Sequence, residues 1–139
     1  MRVGLLGGGV IARLFLEHAG RGEMDNAEVV AIAGRSKASR GKALAREFGV
    51  PFVVGAAKLI AARPEVVIEA ASHDAVREHV EVLLSNGVAV IVLSGGALCD
   101  DELRARLERA SAKHGALLYL PSGGIGGLDA LKAACAAGV

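Results

Sequence analysis

The sequence predicts an α/β protein built on one doubly wound parallel sheet, and three observations carry that reading. A glycine turn, Gly7-Gly8-Gly9-Val10-Ile11-Ala12, joins the apolar run Val3-Gly4-Leu5-Leu6 to a helical pattern at Ile11, Leu14, Phe15 and Ala19. Six apolar, strand-like runs alternate with helical periodicity through short connections. Four of those runs end in loops of small and polar residues, which such a sheet gathers along one edge.

The opening turn reads G-x-G-x-x-A in the strand-turn-helix context of a dinucleotide-binding (Rossmann) fold. Gly7 lets a buried strand bend sharply into a helix, since a residue without Cβ accepts backbone angles that others cannot. Gly9 lets main chain approach a pyrophosphate, and small Ala12 lets the helix lie close on its strand. The free N–H groups of the first helical turn then face the phosphates, so no side-chain charge is needed. A glycine turn used only for packing is the plainer alternative.

Glu28-Val29-Val30-Ala31-Ile32-Ala33 is the second strand, apolar on both faces as an interior parallel strand must be. It ends in Gly34-Arg35-Ser36-Lys37, where an NAD-specific fold usually places an acid for the ribose 2′-hydroxyl. Here no carboxylate repels a 2′-phosphate, and Arg35 and Ser36 offer donors to one. NADP or NAD is therefore the expected cofactor, with NADP favoured. Solvated loop charge is the competing account of Arg35 and Lys37.

A helix over 39–48 is followed by a short third strand, Pro51-Phe52-Val53-Val54, and by a helix over 56–62 that must end before Pro64. The second half opens with a buried strand, Val66-Val67-Ile68-Glu69-Ala70-Ala71, ending in Ser72-His73-Asp74. A helix over 74–86 puts Val76, Val80, Leu83 and Leu84 on one stripe. The fifth strand, Ala89 to Leu93, leads into Ser94-Gly95-Gly96-Ala97. Asp100 or Asp101 caps the next helix, Gly115 ends it, and a sixth strand spans Ala116 to Leu120. Strand order 3-2-1-4-5-6 is the default for this pattern.

Composition narrows the function. Net charge is +1 with only 3% aromatic residues, which offers neither a basic patch nor stacking platforms, so no nucleic-acid partner is expected. No apolar run reaches membrane-spanning length and no leader pattern opens the chain, so the expectation is a cytoplasmic protein without a membrane partner. Cys99 and Cys135 lack metal-ligand spacing and read as buried free thiols, with no metal site.

In a doubly wound sheet, ligands bind beyond the carboxyl ends of the strands, at the switch point between strands one and four. Four loops should meet there: Gly7 to Ile11, Ala70 to His73, Ser94 to Ala97, and Ser122 to Gly124. Hydroxyls of Ser72, Ser94 and Ser122 can bond sugar or carboxamide, with helix capping as the alternative for each. His73 is the one acid-base group that the sequence places in this crevice, and so a candidate for catalysis, while His18, His79 and His114 read as solvated or dipole-stabilised. With no nucleophile elbow or carboxylate pair, any chemistry is the cofactor's hydride transfer.

These loops resemble the L-aspartate dehydrogenase family, in Gly7 to Ala12, Val67 to His73, Ser94 to Leu98 and, most specifically, Leu120-Pro121-Ser122-Gly123-Gly124-Ile125-Gly126-Gly127-Leu128-Asp129-Ala130-Leu131. The resemblance implies an NAD(P)-dependent oxidoreductase converting L-aspartate to iminoaspartate, hence oxaloacetate and ammonia, for pyridine-nucleotide biosynthesis. It places cofactor contacts at Gly7, Gly9, Val10, Ile11, Ala71, Ser72 and Ser94-Gly95-Gly96-Ala97, and at Gly124, where the family usually has alanine. A further departure is the Ser94 loop, commonly Ser-Val-Gly-Ala. Family members continue into a substrate domain that holds the catalytic histidine, so the expected organisation is a dinucleotide-binding domain over 1–127 and the start of a truncated or missing domain over 128–139. Apolar surface left by that loss makes a homo-oligomer the expectation. A non-catalytic NADP(H)-binding module or redox sensor is the alternative function.

Overall fold

The structure, a computed structural model, describes residues 1–24, 26–122 and 135 of the 139-residue chain. Its first half runs β1 (Arg2–Leu6), α1 (Val10–Gly20), β2 (Glu28–Gly34), α2 (Gly41–Glu47), β3 (Phe52–Val54) and α3 (Gly55–Ala61). The second half runs β4 (Val66–Glu69), α4 (His73–Ala75), a π turn (Val76–Val80), α5 (Glu81–Ser85), β5 (Ala89–Val92), a 3-10 turn (Gly95–Cys99), α6 (Asp101–His114) and β6 (Leu118–Tyr119). All the strands are parallel, in the order β3-β2-β1-β4-β5-β6. That is the order expected.

Strand residues alternate between two cores. Val3 and Leu5 of β1 and Ile32 of β2 meet Ala12 and Leu16 of α1 and Leu44 and Ala45 of α2 on one face. Leu6, Val67, Val90 and Val92 meet Leu59 of α3, the stripe Val76, Val80, Leu83 and Leu84, and Leu103 and Leu107 of α6 on the other. Each fully buried Val, Leu or Ile among them contributes about 1.5–3 kcal/mol, which is why the interior strands are apolar on both sides.

Several boundaries differ from the expected ones, each for a hydrogen-bonding reason. β4 stops at Glu69 because the N–H groups of Ala71 and Ser72 are taken by the Glu69 carboxylate at 2.8 and 3.1 Å. The strand expected from Ala116 begins at Leu118, since Ala116 is tied back to α6: its N–H donates to the Ser111 carbonyl and its carbonyl accepts from Ser111 Oγ. The second helix starts at Gly41 because Ser39 Oγ accepts the Ser36 N–H and closes a turn first. Asp100 caps α6 through the Leu103 N–H at 3.1 Å, and Gly115 ends that helix at φ 64°.

The helix expected over 74–86 carries an unanticipated π turn. It widens the buried face, so that His79 is only 8% exposed beside Val76 and Val80. The reading of His79 as a solvated residue is thereby corrected. Cys99 and Cys135 are exposed, which corrects the expectation of buried thiols. At Cys99 the reason is local, since the 3-10 turn presents Ala97 and Leu98 to the core and leaves its last residue outside. Among the described residues no helix is long and apolar enough to cross a membrane. The expected boundary at 127/128, and Gly124 with it, lie outside the described residues.

Candidate cofactor crevice

The β1–α1 turn sits where the sheet's two halves part. Gly7 has φ +112°, and a Cβ there would lie 2.5 Å from the Ala70 carbonyl oxygen, so the turn needs glycine for both conformation and space. Gly8 is equally constrained: a Cβ on it would fall 2.2 Å from Gly41 Cα, because the turn lies directly on the start of α2. Gly9 is different. It is the N-cap of α1, and a Cβ on it would meet nothing within 4 Å.

The N-terminus of α1 has no side-chain cap and no acidic residue in its first turn. Its free N–H groups and positive dipole end therefore open onto the space beyond Gly9, an arrangement that suits a phosphate. Val10 and Ile11 flank it at 73% and 53% exposure, apolar surface that a ligand laid along this edge would cover.

A cavity of about 540 Å³ runs from this turn between the ends of β2 and β4. That volume is in the range of small-molecule sites, roughly 300–1,000 Å³. Gly34, Arg35, Ser39 and Arg40 form one wall, and Ala71, Ser72, Asp74, Glu78 and His79 the other. The charge is divided accordingly, with basic groups beside β2 and acidic groups beside β4. Gly34 is held in place by packing, since a Cβ would meet Ser39 Cβ at 2.6 Å, so an acid at the end of β2 has no room without a shift of Ser39. Arg13 is already engaged. It gives two hydrogen bonds of 2.6 Å to Glu47, which hold the Glu47 carboxyl below the usual carboxylate range and raise the guanidinium further.

Of the residues singled out by sequence, Gly7, Gly9, Arg35, Ala71 and Ser72 come together on this cavity. Val10 and Ile11 do not line it and lie exposed in the first turn of α1. Ser36 does not line it, and its hydroxyl accepts the Ala38 N–H within its own loop at 3.3 Å. Ser72 Oγ accepts the Ala75 N–H at 3.2 Å, so it caps α4 and keeps a proton to donate.

The β5 loop stands farther along the carboxyl edge. Ser94 Oγ bonds to the Glu69 carboxylate at 2.9 Å, so Ser94 is the donor in that contact and offers a ligand only acceptor capacity. Gly96 lies under the His73 imidazole, where a Cβ would come within 2.8 Å of Cε1 and Nε2, and this places His73 between the β4 and β5 loops. Gly95 and the buried Ala97 complete the 3-10 turn, and Ser122 is half-buried at the end of the described stretch.

Sequence reasoning missed the wall residues Ser39, Arg40, Glu78 and His79, and Glu69, which is buried behind the wall. Arg40 carried no signal beyond its charge. His79 could be found only by knowing of the π turn. Glu69 did leave a trace, as the lone acid closing the apolar run Val66-Val67-Ile68.

The residues present fit a dinucleotide. A helix N-terminus opens to free space at Gly9, glycines stand where main chain must approach closely, and cations without a competing carboxylate stand at the end of β2. Comparison with known proteins agrees with this geometry. The chain is 34% identical over 132 residues to the L-aspartate dehydrogenase of Methanococcus maripaludis, covering 95% of this chain and 49% of that one. It is 37% identical over 139 residues to L-aspartate dehydrogenase 1 of Bordetella bronchiseptica, covering 100% and 51%. The chain thus spans about half the length of these curated relatives.

Among solved structures, aspartate dehydrogenase from Thermotoga maritima superposes with a TM-score of 0.67 at 30% identity, covering 96% of this chain and 50% of that one. The WlbA dehydrogenase from Bordetella pertussis, in complex with NADH and UDP-GlcNAcA, shares the fold with a TM-score of 0.75 at 19% identity, covering 87% and 34%. The family model described as homoserine dehydrogenase, NAD binding domain, matches residues 7–121, and the chain belongs to that family.

Proposed function

We propose that this chain is the cofactor-binding half of an L-aspartate dehydrogenase and takes NADP(H) in preference to NAD(H). The observation that carries the reading is the uncapped N-terminus of α1, open at Gly9 and free of first-turn carboxylates. Gly7, Gly9, Val10 and Ile11 would hold the pyrophosphate through main chain. Arg35, with Arg40 across the same wall and Ser36 beyond it, would take the ribose end, where Gly34 excludes an acid and a 2′-phosphate meets only donors.

Ala71, Ser72, His73, the Ser94 to Ala97 loop, Ser122 and Gly124 would serve the nicotinamide half. When bound, the cofactor supplies hydride transfer between nicotinamide and the amine-bearing carbon of L-aspartate, with oxaloacetate and ammonia on the far side of the reaction. In this reading the segment from 128 onward begins the substrate domain, and the reaction belongs to the reducing cytoplasm. Leu117, Tyr119 and Leu120, exposed around the edge strand β6, favour self-association, and a strictly monomeric sedimentation profile would count against it.

Calorimetric titration at low salt tests the cofactor. NADPH should bind at least about tenfold tighter than NADH, near 1.4 kcal/mol, and Arg35→Ala should erase most of the difference. Equal affinities remove the NADP preference, and failure to bind either removes the whole reading. NAD(P)H oxidation with oxaloacetate and ammonium, on this chain and on this chain joined to the remaining half of a relative, tests the reaction. Turnover by the joined chain supports the dehydrogenase, whereas binding without turnover in either form points to a binding module.

A further inference from the structure

Glu69 is a charged residue in an apolar setting. It is 0% exposed and sits in the row of strand ends formed with Leu6 and Val92. A buried carboxylate is tolerated only where donors surround it. Here four do. Oε1 accepts the N–H groups of Ala71 and Ser72 at 2.8 and 3.1 Å and the Ser94 hydroxyl at 2.9 Å, and Oε2 accepts the Ser94 N–H at 2.9 Å. Two of these donors belong to the loop after β4 and two to the loop after β5. One side chain therefore sets the spacing between loops that have no strand pairing past Glu69 and Val92.

We propose that Glu69 is the positioning residue for the nicotinamide half of the crevice: its carboxylate fastens the β4 and β5 loops to each other and leaves Ser94 facing a ligand only as an acceptor. This rests on the dinucleotide reading given above. In a doubly wound sheet the β1–β3 half holds the adenosine side and the β4–β6 half the nicotinamide side. The clamp lies entirely in the second half. Its loss should therefore be felt by the nicotinamide end of a dinucleotide and not by the adenosine end. A residue needed merely for stability would not discriminate between them.

The test compares Glu69→Gln with the wild-type chain in calorimetric titrations of two ligands. One is the dinucleotide, NADH or NADPH, that the wild type binds more tightly. The other is the matching adenosine fragment, ADP or 2′,5′-ADP. Glutamine keeps the size but presents an amide donor to at least one group that is itself a donor. Dinucleotide affinity should fall about tenfold while fragment affinity stays within about twofold.

Equal weakening of both ligands, or of neither, overturns the role of Glu69 while leaving the dinucleotide reading intact. A variant that no longer melts cooperatively also overturns it, because Glu69 would then support the whole core rather than two loops. If the wild type binds neither ligand, the dinucleotide reading falls and the proposal with it. Amide hydrogen exchange on the wild type adds a check that needs no variant: the N–H groups of Ala71, Ser72 and Ser94 should be protected without ligand, and free exchange at all three overturns the clamp.

Discussion

Beside β2 the crevice wall is main chain resting on main chain, with Gly8 on the first residue of α2 and no buried charge. Between β4 and β5 the loops are held from behind by a buried carboxylate that accepts four donors from the two of them. The first wall depends on the absence of volume and the second on the presence of polarity, so the two should fail under different substitutions. Close packing is intolerant of an added methyl, while a buried polar hub is intolerant of losing a partner.

The sharpest way to break this contrast is to place the same methyl on adjacent glycines. Gly8→Ala sets a Cβ 2.2 Å from Gly41 Cα and 2.5 Å from its nitrogen, both backbone atoms that no side-chain rotation can move aside. It should cost about 3 kcal/mol in urea denaturation. Gly9→Ala meets nothing within 4 Å at a φ of −88°, and should leave stability within about 0.5 kcal/mol. Gly9→Val should abolish cofactor binding with the fold retained, by filling the space a pyrophosphate needs. Similar unfolding costs at Gly8 and Gly9 would remove the distinction between a packing glycine and an approach glycine.

On the polar side, Ser72→Ala removes the hydroxyl that caps α4 but leaves the Ser72 N–H on Glu69. A loss of about 1 kcal/mol is expected, read from the same denaturation curves. The smallest effect lies outside both walls, at the solvated Arg13–Glu47 pair that joins α1 to α2. Glu47 titrates below its unfolded range, chiefly because Arg13 hydrogen-bonds the charged form. Its contribution is therefore present above the unfolded carboxylate pKa and is lost as pH falls through the lower folded value. Melting temperatures of the wild type and Glu47→Gln should differ slightly at neutral pH and converge in acid, with less separation at high salt. Curves that stay parallel through acid would show that the pair contributes nothing.

Legibility followed the same division. The sheet order, the apolar stripe at Val76, Val80, Leu83 and Leu84, and the glycine turn could be read because periodicity and the needs of tight turns leave marks in sequence. Gly8 and Gly41 were not legible as a pair, because their contact lies between elements more than thirty residues apart. Glu69 closes its apolar run as a lone acid, yet nothing local showed that it would take the Ala71 and Ser72 N–H groups, ending its own strand early, and also gather Ser94 from the next loop. Ser36 illustrates the reverse case. Its residue type suited the ribose, but its hydroxyl is turned to the Ala38 N–H of its own loop and lies off the cavity lining, where Ser39 and Arg40 stand.

The π turn at Val76–Val80 bears on how this helix can vary in length. Such a turn holds one residue more than an α turn while the helix on either side stays in phase. Removing one residue between Arg77 and His79 would let regular winding close the gap, with Leu83 and Leu84 still seated on the sheet and a single crevice-wall side chain given up. A deletion that would throw an ordinary helix out of register should here be absorbed, and a thermal melt of the shortened chain reads that tolerance directly, a collapse of the transition counting against it.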